Sequence, residues 1–139
     1  MAQTVISAAI MDLCHEGHLN LLKEMRKAAG NDGRVIMVLH DDRACYEIKG
    51  KFPIQSVTHR ANNVSDTGLV NEVRTIDSVD PGPEFDEIIR ENWDSTMLFM
   101  RGDDNKNFPG KYIIENFQIP IVYIPYTEGV SSSKLRCEI

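Results

Sequence analysis

The sequence predicts an α/β fold, a doubly wound three-layer sandwich with about five parallel strands, in a single domain over residues 1–139. Three observations carry that prediction. Short apolar runs alternate with stretches of helical spacing along the chain. The runs are continuous rather than alternating apolar with polar, as strands buried on both faces are. Clusters of glycine, asparagine, aspartate and proline separate them. In such a sheet ligands sit beyond the carboxyl ends of the strands at the switch point, so functional residues should follow strands.

Thr4 to Ile10 is a β-favouring run too short for a helix, and from His18 to Ala29 leucines and Met25 recur at helical spacing. Gly30-Asn31-Asp32-Gly33 stops that helix with residues suited to positive φ, and Val35 to Leu39 reads as the next buried strand. A strand–helix–strand unit is complete by residue 40. Asp41 to Ser65 is polar, lysine-bearing and poor in periodicity, the pattern of a long functional loop. A weaker strand is expected near Thr75 to Val79, closed by Pro81-Gly82-Pro83. Helical patterns at Glu84 to Asn92 and Lys111 to Phe117 lead into apolar runs at Met97 to Met100 and Ile121 to Ile124, and a short terminal helix closes the chain. Trp93, ahead of a buried strand, is expected in the core. Phe85 is expected to pack in the core or at an interface.

Composition narrows the function. With 42% hydrophobic and 26% charged residues the chain matches an ordinary globular domain. At 139 residues, roughly 70% of the unfolded chain's surface can be buried, so neither a disulfide nor a structural metal is required. Fifteen Lys plus Arg stand against 21 Asp plus Glu, a net charge of -6, which argues against a nucleic-acid binder. Any anionic ligand must then meet locally gathered positive charge. Cys14, Cys45 and Cys137 show no metal-ligand spacing, and a reduced cytoplasmic setting is the simplest expectation. The first apolar run has no basic flank and is interrupted by Asp12 and His15, so neither a signal peptide nor a membrane span is expected.

Two segments carry the chemistry. Asp12-Leu13-Cys14-His15-Glu16-Gly17-His18 places two imidazoles and a glycine where the first strand turns into a helix N-terminus. Free N–H groups and the helix dipole favour phosphate there, and Gly17 lets a ligand approach the backbone. The alternative is a capped helix start with two surface histidines. Asp12 either orients an imidazole or a hydrated metal or serves as a cap. Tyr126-Thr127-Glu128-Gly129-Val130-Ser131-Ser132-Ser133-Lys134 again brings hydroxyls and N–H groups to a helix start, with a plain serine N-cap as the alternative. Two such segments after different parallel strands can border one cleft. No protein metal site is expected, since two histidines need further ligands.

These two motifs together, His15-Glu16-Gly17-His18 and Thr127-Glu128-Gly129-Val130-Ser131-Ser132, resemble the cytidylyltransferase family within the HxGH nucleotidyltransferase superfamily, most closely the small glycerol-3-phosphate cytidylyltransferases. Three further stretches are similar: Gly102-Asp103-Asp104, Gln55-Ser56-Val57-Thr58-His59-Arg60, and Arg74-Thr75-Ile76-Asp77-Ser78-Val79, the last resembling an Arg-aromatic-Val-Asp-Glu-Val stretch. The resemblance implies a Rossmann-like sheet, a homodimer, and Mg2+-dependent transfer of CMP from CTP to a small phosphorylated acceptor with release of pyrophosphate. An adenylyltransferase of the same superfamily, or a nucleotide-binding module without turnover, is the alternative.

By the same resemblance His15 and His18 would contact the CTP phosphates, Lys51 and Arg60 would add charge, and Arg74 would act near a dimer-facing site. Ala9, Ile10, Asp12 and Gly17 would line the nucleotide, Asp104 would recognise cytosine, and Thr127, Gly129, Ser131 and Ser132 would hold the nucleotide through the terminal signature. Three departures stand out. Ala9 replaces a family glycine, Tyr126 replaces an arginine and so becomes a candidate acceptor or specificity residue, and about six extra residues separate Arg60 from Arg74 in this match.

Overall fold

Continuous apolar runs become strands. In the computed structural model, which describes residues 3–14, 16–103 and 106–125, these are β1 (Gln3–Ala9), β2 (Arg34–His40), β3 (Glu72–Ile76), β4 (Thr96–Gly102) and β5 (Ile121–Ile124). They form one sheet in the order β3-β2-β1-β4-β5, and every neighbouring pair is parallel. Five helices lie between them: α1 (Glu16–Ala29), α2 (Asp42–Lys49), α3 (Val57–Asp66), α4 (Gly82–Glu91) and α5 (Lys111–Asn116).

Two apolar layers cover the sheet, as the doubly wound prediction requires. On one face Val5, Val35, Met37 and Leu39 pack with Leu22 and Met25 of α1 and Val64 of α3. On the other face Ile6, Ile36, Val38 and Phe99 pack with Phe85, Ile88 and Ile89 of α4 and Ile114 of α5. Side chains two apart along one strand share a face, which is why β1 and β2 feed both layers from an unbroken apolar run. Phe85 is fully buried and meets Phe99 edge to face at 5.2 Å, which settles it as core.

Three expectations need correction. Asp41 to Ser65 is not a loop but two helices, α2 and α3. Caps explain how such polar sequence folds: Asp41 accepts from Ala44 N, Gly50 ends α2 at φ 77°, and Ser56 accepts from His59 N at the start of α3. The weak strand lies at Glu72–Ile76, three residues before its expected start. Trp93 is 73% exposed, because α4 ends at Glu91 and carries it beyond the layer that covers β4. The expected terminal helix lies outside the described residues.

Candidate functional site

After β3 the chain returns to the other side of β1, so the strand order reverses between β1 and β4 and leaves a crevice beyond their carboxyl ends. Ala9 ends β1 half-buried, followed by Ile10 and a tight 3-10 turn, Asp12–Cys14, that runs into α1. The backbone of this turn is unusual. Met11 has φ 58° and Leu13 φ 66°, and a bulky residue in that region costs on the order of 1–3 kcal/mol. Gly17 and His18 lie half-buried in the first turn of α1, a helix of 14 residues whose dipole favours an anion at this end.

A polar lattice holds the turn from behind. Asp12 is buried and accepts from Ile54 N at 2.8 Å and Gln55 N at 3.0 Å. Leu13 N donates to Gln55 Oε1 at 2.9 Å, and Asn63 Nδ2 donates to the same oxygen at 3.3 Å. Asp12 therefore ties the turn to the segment before α3 through two backbone N–H groups. Among the described residues no three His, Cys, Asp or Glu side chains converge to hold a metal ion.

Arg60 and Arg74 are both engaged by partners inside the protein. Arg60 is 0% exposed. Its Nε donates to Gln55 O at 3.0 Å, Nη1 to Ile10 O at 2.8 Å and His40 O at 2.7 Å, and Nη2 to Asp42 Oδ1 at 2.8 Å. Four of its five N–H groups are thereby used inside the protein. Arg74 lies on the α4 face of β3, bound to Glu72 at 2.7 Å, Glu84 at 3.0 Å and Glu91 at 2.6 Å, with Glu87 at 3.9 Å. Glu91, then Glu72 and Glu84, hold its pKa above the ordinary arginine value against the opposing effect of burial.

Val70 and Asn71 lead into β3. Asn71 there accepts from Val35 N at 2.8 Å, a contact that an aspartate could also make. Gly68, ahead of β3, stands at φ 73°, a conformation that side chains avoid.

Lys51 is exposed on the segment that Asp12 and Gln55 tie to the turn. His40 ends β2 almost fully buried, its Nδ1 3.0 Å from Ser78 O. Desolvation pushes its pKa below the ordinary histidine value, Arg60 and Arg101 push the same way, and the Ser78 contact and Asp41 oppose them. A groove of about 520 Å³ beyond β2 and β3 is lined by Asp41, Asp80 and Glu84 among others. Those carboxylates already serve Ala44 N, Gly82 N with Tyr112, and Arg74. His15, Asp104, Tyr126, Thr127, Gly129, Ser131 and Ser132 lie outside the described residues. Sequence reasoning missed Gln55 as a partner of the turn; its place beside the Ser56 cap gives no signal of a bond 42 residues away.

Comparison with known proteins bears on the same architecture. The model of the family described as cytidylyltransferase-like matches residues 9–138. The chain is 30% identical to glycerol-3-phosphate cytidylyltransferase of Bacillus subtilis (strain 168) over 139 residues, covering 97% of this chain and 95% of that protein. It is 29% identical to FAD synthase of Korarchaeum cryptofilum (strain OPF8) over 114 residues, 73% of this chain and 77% of the other. A crystal structure of the lipopolysaccharide core biosynthesis protein from Thermoplasma volcanium GSS1 superposes with a TM-score of 0.68 at 22% identity, covering 92% of this chain and all of that one, and supports the shared fold.

Proposed function

The chain belongs to the cytidylyltransferase-like family, and on that premise we propose that this nucleotidyltransferase moves CMP from CTP to a small phosphorylated alcohol such as glycerol phosphate, releasing pyrophosphate. The observation that carries this reading is the strained turn at the β1/β4 switch point, which opens into α1 with Gly17 and His18 in its first turn.

The reaction is attack by an oxygen of the acceptor's phosphate on the α-phosphorus, with pyrophosphate leaving in line. Bringing these anions together is the main difficulty, so alignment and donors aimed at developing charge supply the catalysis. His18 and His15 fit that role as donors to the α-phosphate and the bridging oxygen, with the α1 N-terminus adding its dipole. Backbone at Ala9, Ile10 and Gly17 would border the nucleotide. Lys51 would approach the β- and γ-phosphates from the segment pinned by Asp12 and Gln55. Arg60 has no part in this list, because its guanidinium is enclosed by carbonyls and Asp42.

Asp104 for cytosine, Thr127, Gly129, Ser131 and Ser132 for the nucleotide, and Tyr126 for the acceptor complete the proposal, together with a homodimer in the cytoplasm. Mg2+ would offset triphosphate charge, held chiefly by the triphosphate oxygens. Similarity to an FAD synthase over 73% of the chain favours ATP as the second reading. Pyrophosphate release is therefore measured with CTP or ATP against glycerol phosphate. CTP should support turnover, and His18→Ala should lower it at least about a hundredfold, the usual loss for one oriented donor. Turnover with ATP alone would move the chain to adenylyl transfer.

A further inference from the structure

The turn between β1 and α1 is held in a conformation that its own residues disfavour. Methionine and leucine rarely adopt the positive φ values of 58° and 66° found at Met11 and Leu13. Such backbone persists only where its surroundings over-determine it. Those surroundings converge on Gln55. Its N–H donates to Asp12 Oδ1 at 3.0 Å and its carbonyl accepts from buried Arg60 Nε at 3.0 Å. Its side-chain Oε1 accepts from the N–H of Leu13 itself at 2.9 Å, while Asn63 Nδ2 reaches that oxygen from α3 at 3.3 Å. Two donors meeting one atom require an acceptor there, which identifies it as the amide oxygen.

We propose that Gln55 is a positioning residue for nucleotidyl transfer, its side-chain oxygen pinning the Leu13 N–H and so aiming the first turn of α1, with Gly17 and His18, at the nucleotide. The proposal rests on the transferase reading above. Gln55 acts without touching substrate. It also anchors the segment that carries Lys51, four residues earlier in the chain, so a lapse at this residue displaces positive charge from the crevice at two points. The chemistry needed is an acceptor at the end of a three-bond stem. Glutamate supplies it; methionine fills nearly the same volume but accepts weakly.

Full-length Gln55→Met and Gln55→Glu variants test this. With saturating CTP and glycerol phosphate, Gln55→Met should lose at least about tenfold in kcat with KM for CTP changed less than about threefold, and Gln55→Glu should recover to within about threefold of the parent. A merely structural contact would lower the melting temperature without that split, measured well below melting. A second readout needs no turnover: by NMR, hydrogen exchange of the Leu13 amide should accelerate at least about tenfold in Gln55→Met and stay near the parent rate in Gln55→Glu. Near-parent kcat in Gln55→Met, unchanged Leu13 exchange in that variant, or failure of Gln55→Glu to recover would each overturn the proposal. A parent protein without turnover on CTP or ATP would instead refute the transferase reading, and Leu13 exchange would then decide whether Gln55 sets the turn.

Discussion

Arg60 on α3 and Arg74 on β3 each bind several oxygens, yet they do opposite things. Arg60 is sealed at 0% exposure and spends its guanidinium on three backbone carbonyls and Asp42. Those carbonyls belong to Ile10 after β1, His40 at the end of β2, and Gln55 before α3, so one side chain ties the carboxyl edge of the sheet to the segment facing it. Arg74 sits in mid-strand among Glu72, Glu84, Glu87 and Glu91 and fastens α4 to β3. A guanidinium bound to carbonyls organises backbone around the crevice, whereas one bound to carboxylates only joins two elements.

The largest effect separating the two should come from Arg60. Arg60→Met leaves three carbonyls without their donor while Asp42, 44% exposed, keeps access to water, and it should cost at least about 3 kcal/mol in urea unfolding, at roughly 1–3 kcal/mol for each buried acceptor left unmade. Arg60→Lys should recover little of this, because an ammonium cannot reproduce the fork. A lysine variant with parent-like stability and lost turnover would place the guanidinium on the ligand and break the comparison.

Arg74→Met should cost about 1 kcal/mol or less, since Glu87 and Glu91 reach solvent and screening weakens such pairs. Its turnover should stay within about twofold of the parent, a range that distant surface changes rarely exceed. A much larger loss of turnover at retained stability would return Arg74 to the site.

The smallest effect sharpens the Arg60 side through His40, whose carbonyl Arg60 holds. Burial, aided by Arg60 and Arg101, lowers the His40 pKa in the folded state, with Ser78 and Asp41 opposing. The unfolded chain therefore binds a proton first as pH falls. Stability should be full above the ordinary histidine value of about 6.5 and decline below it, by at most about 1.4 kcal/mol per pH unit from this group. Thermal unfolding between pH 7.5 and 5.5 checks this, and His40→Gln should flatten that part of the profile. An unchanged slope would remove His40 from the account.

Particular elements show what was legible. β5 falls at Ile121–Ile124 as read from its apolar run, and the tight turn after β1 lies where that first run ends. By contrast α2 and α3 went unread, because their 8 and 10 residues are mostly polar and depend on caps at Asp41, Gly50 and Ser56. Trp93 misled because an aromatic beside a strand is usually buried, and only the length of α4 puts it outside.

By itself the sequence determined the α/β class and the succession of its strands, because burial on both faces of a parallel sheet leaves apolar runs that can be read locally. Tertiary structure alone decided the partners of Arg60, the bonds of Asp12 to Ile54 N and Gln55 N, and the positive φ at Leu13, whose N–H meets Gln55 Oε1. Those contacts join residues up to 50 positions apart, and spacing along a chain carries no record of which distant carbonyl a buried donor will find, although each buried polar group must find one.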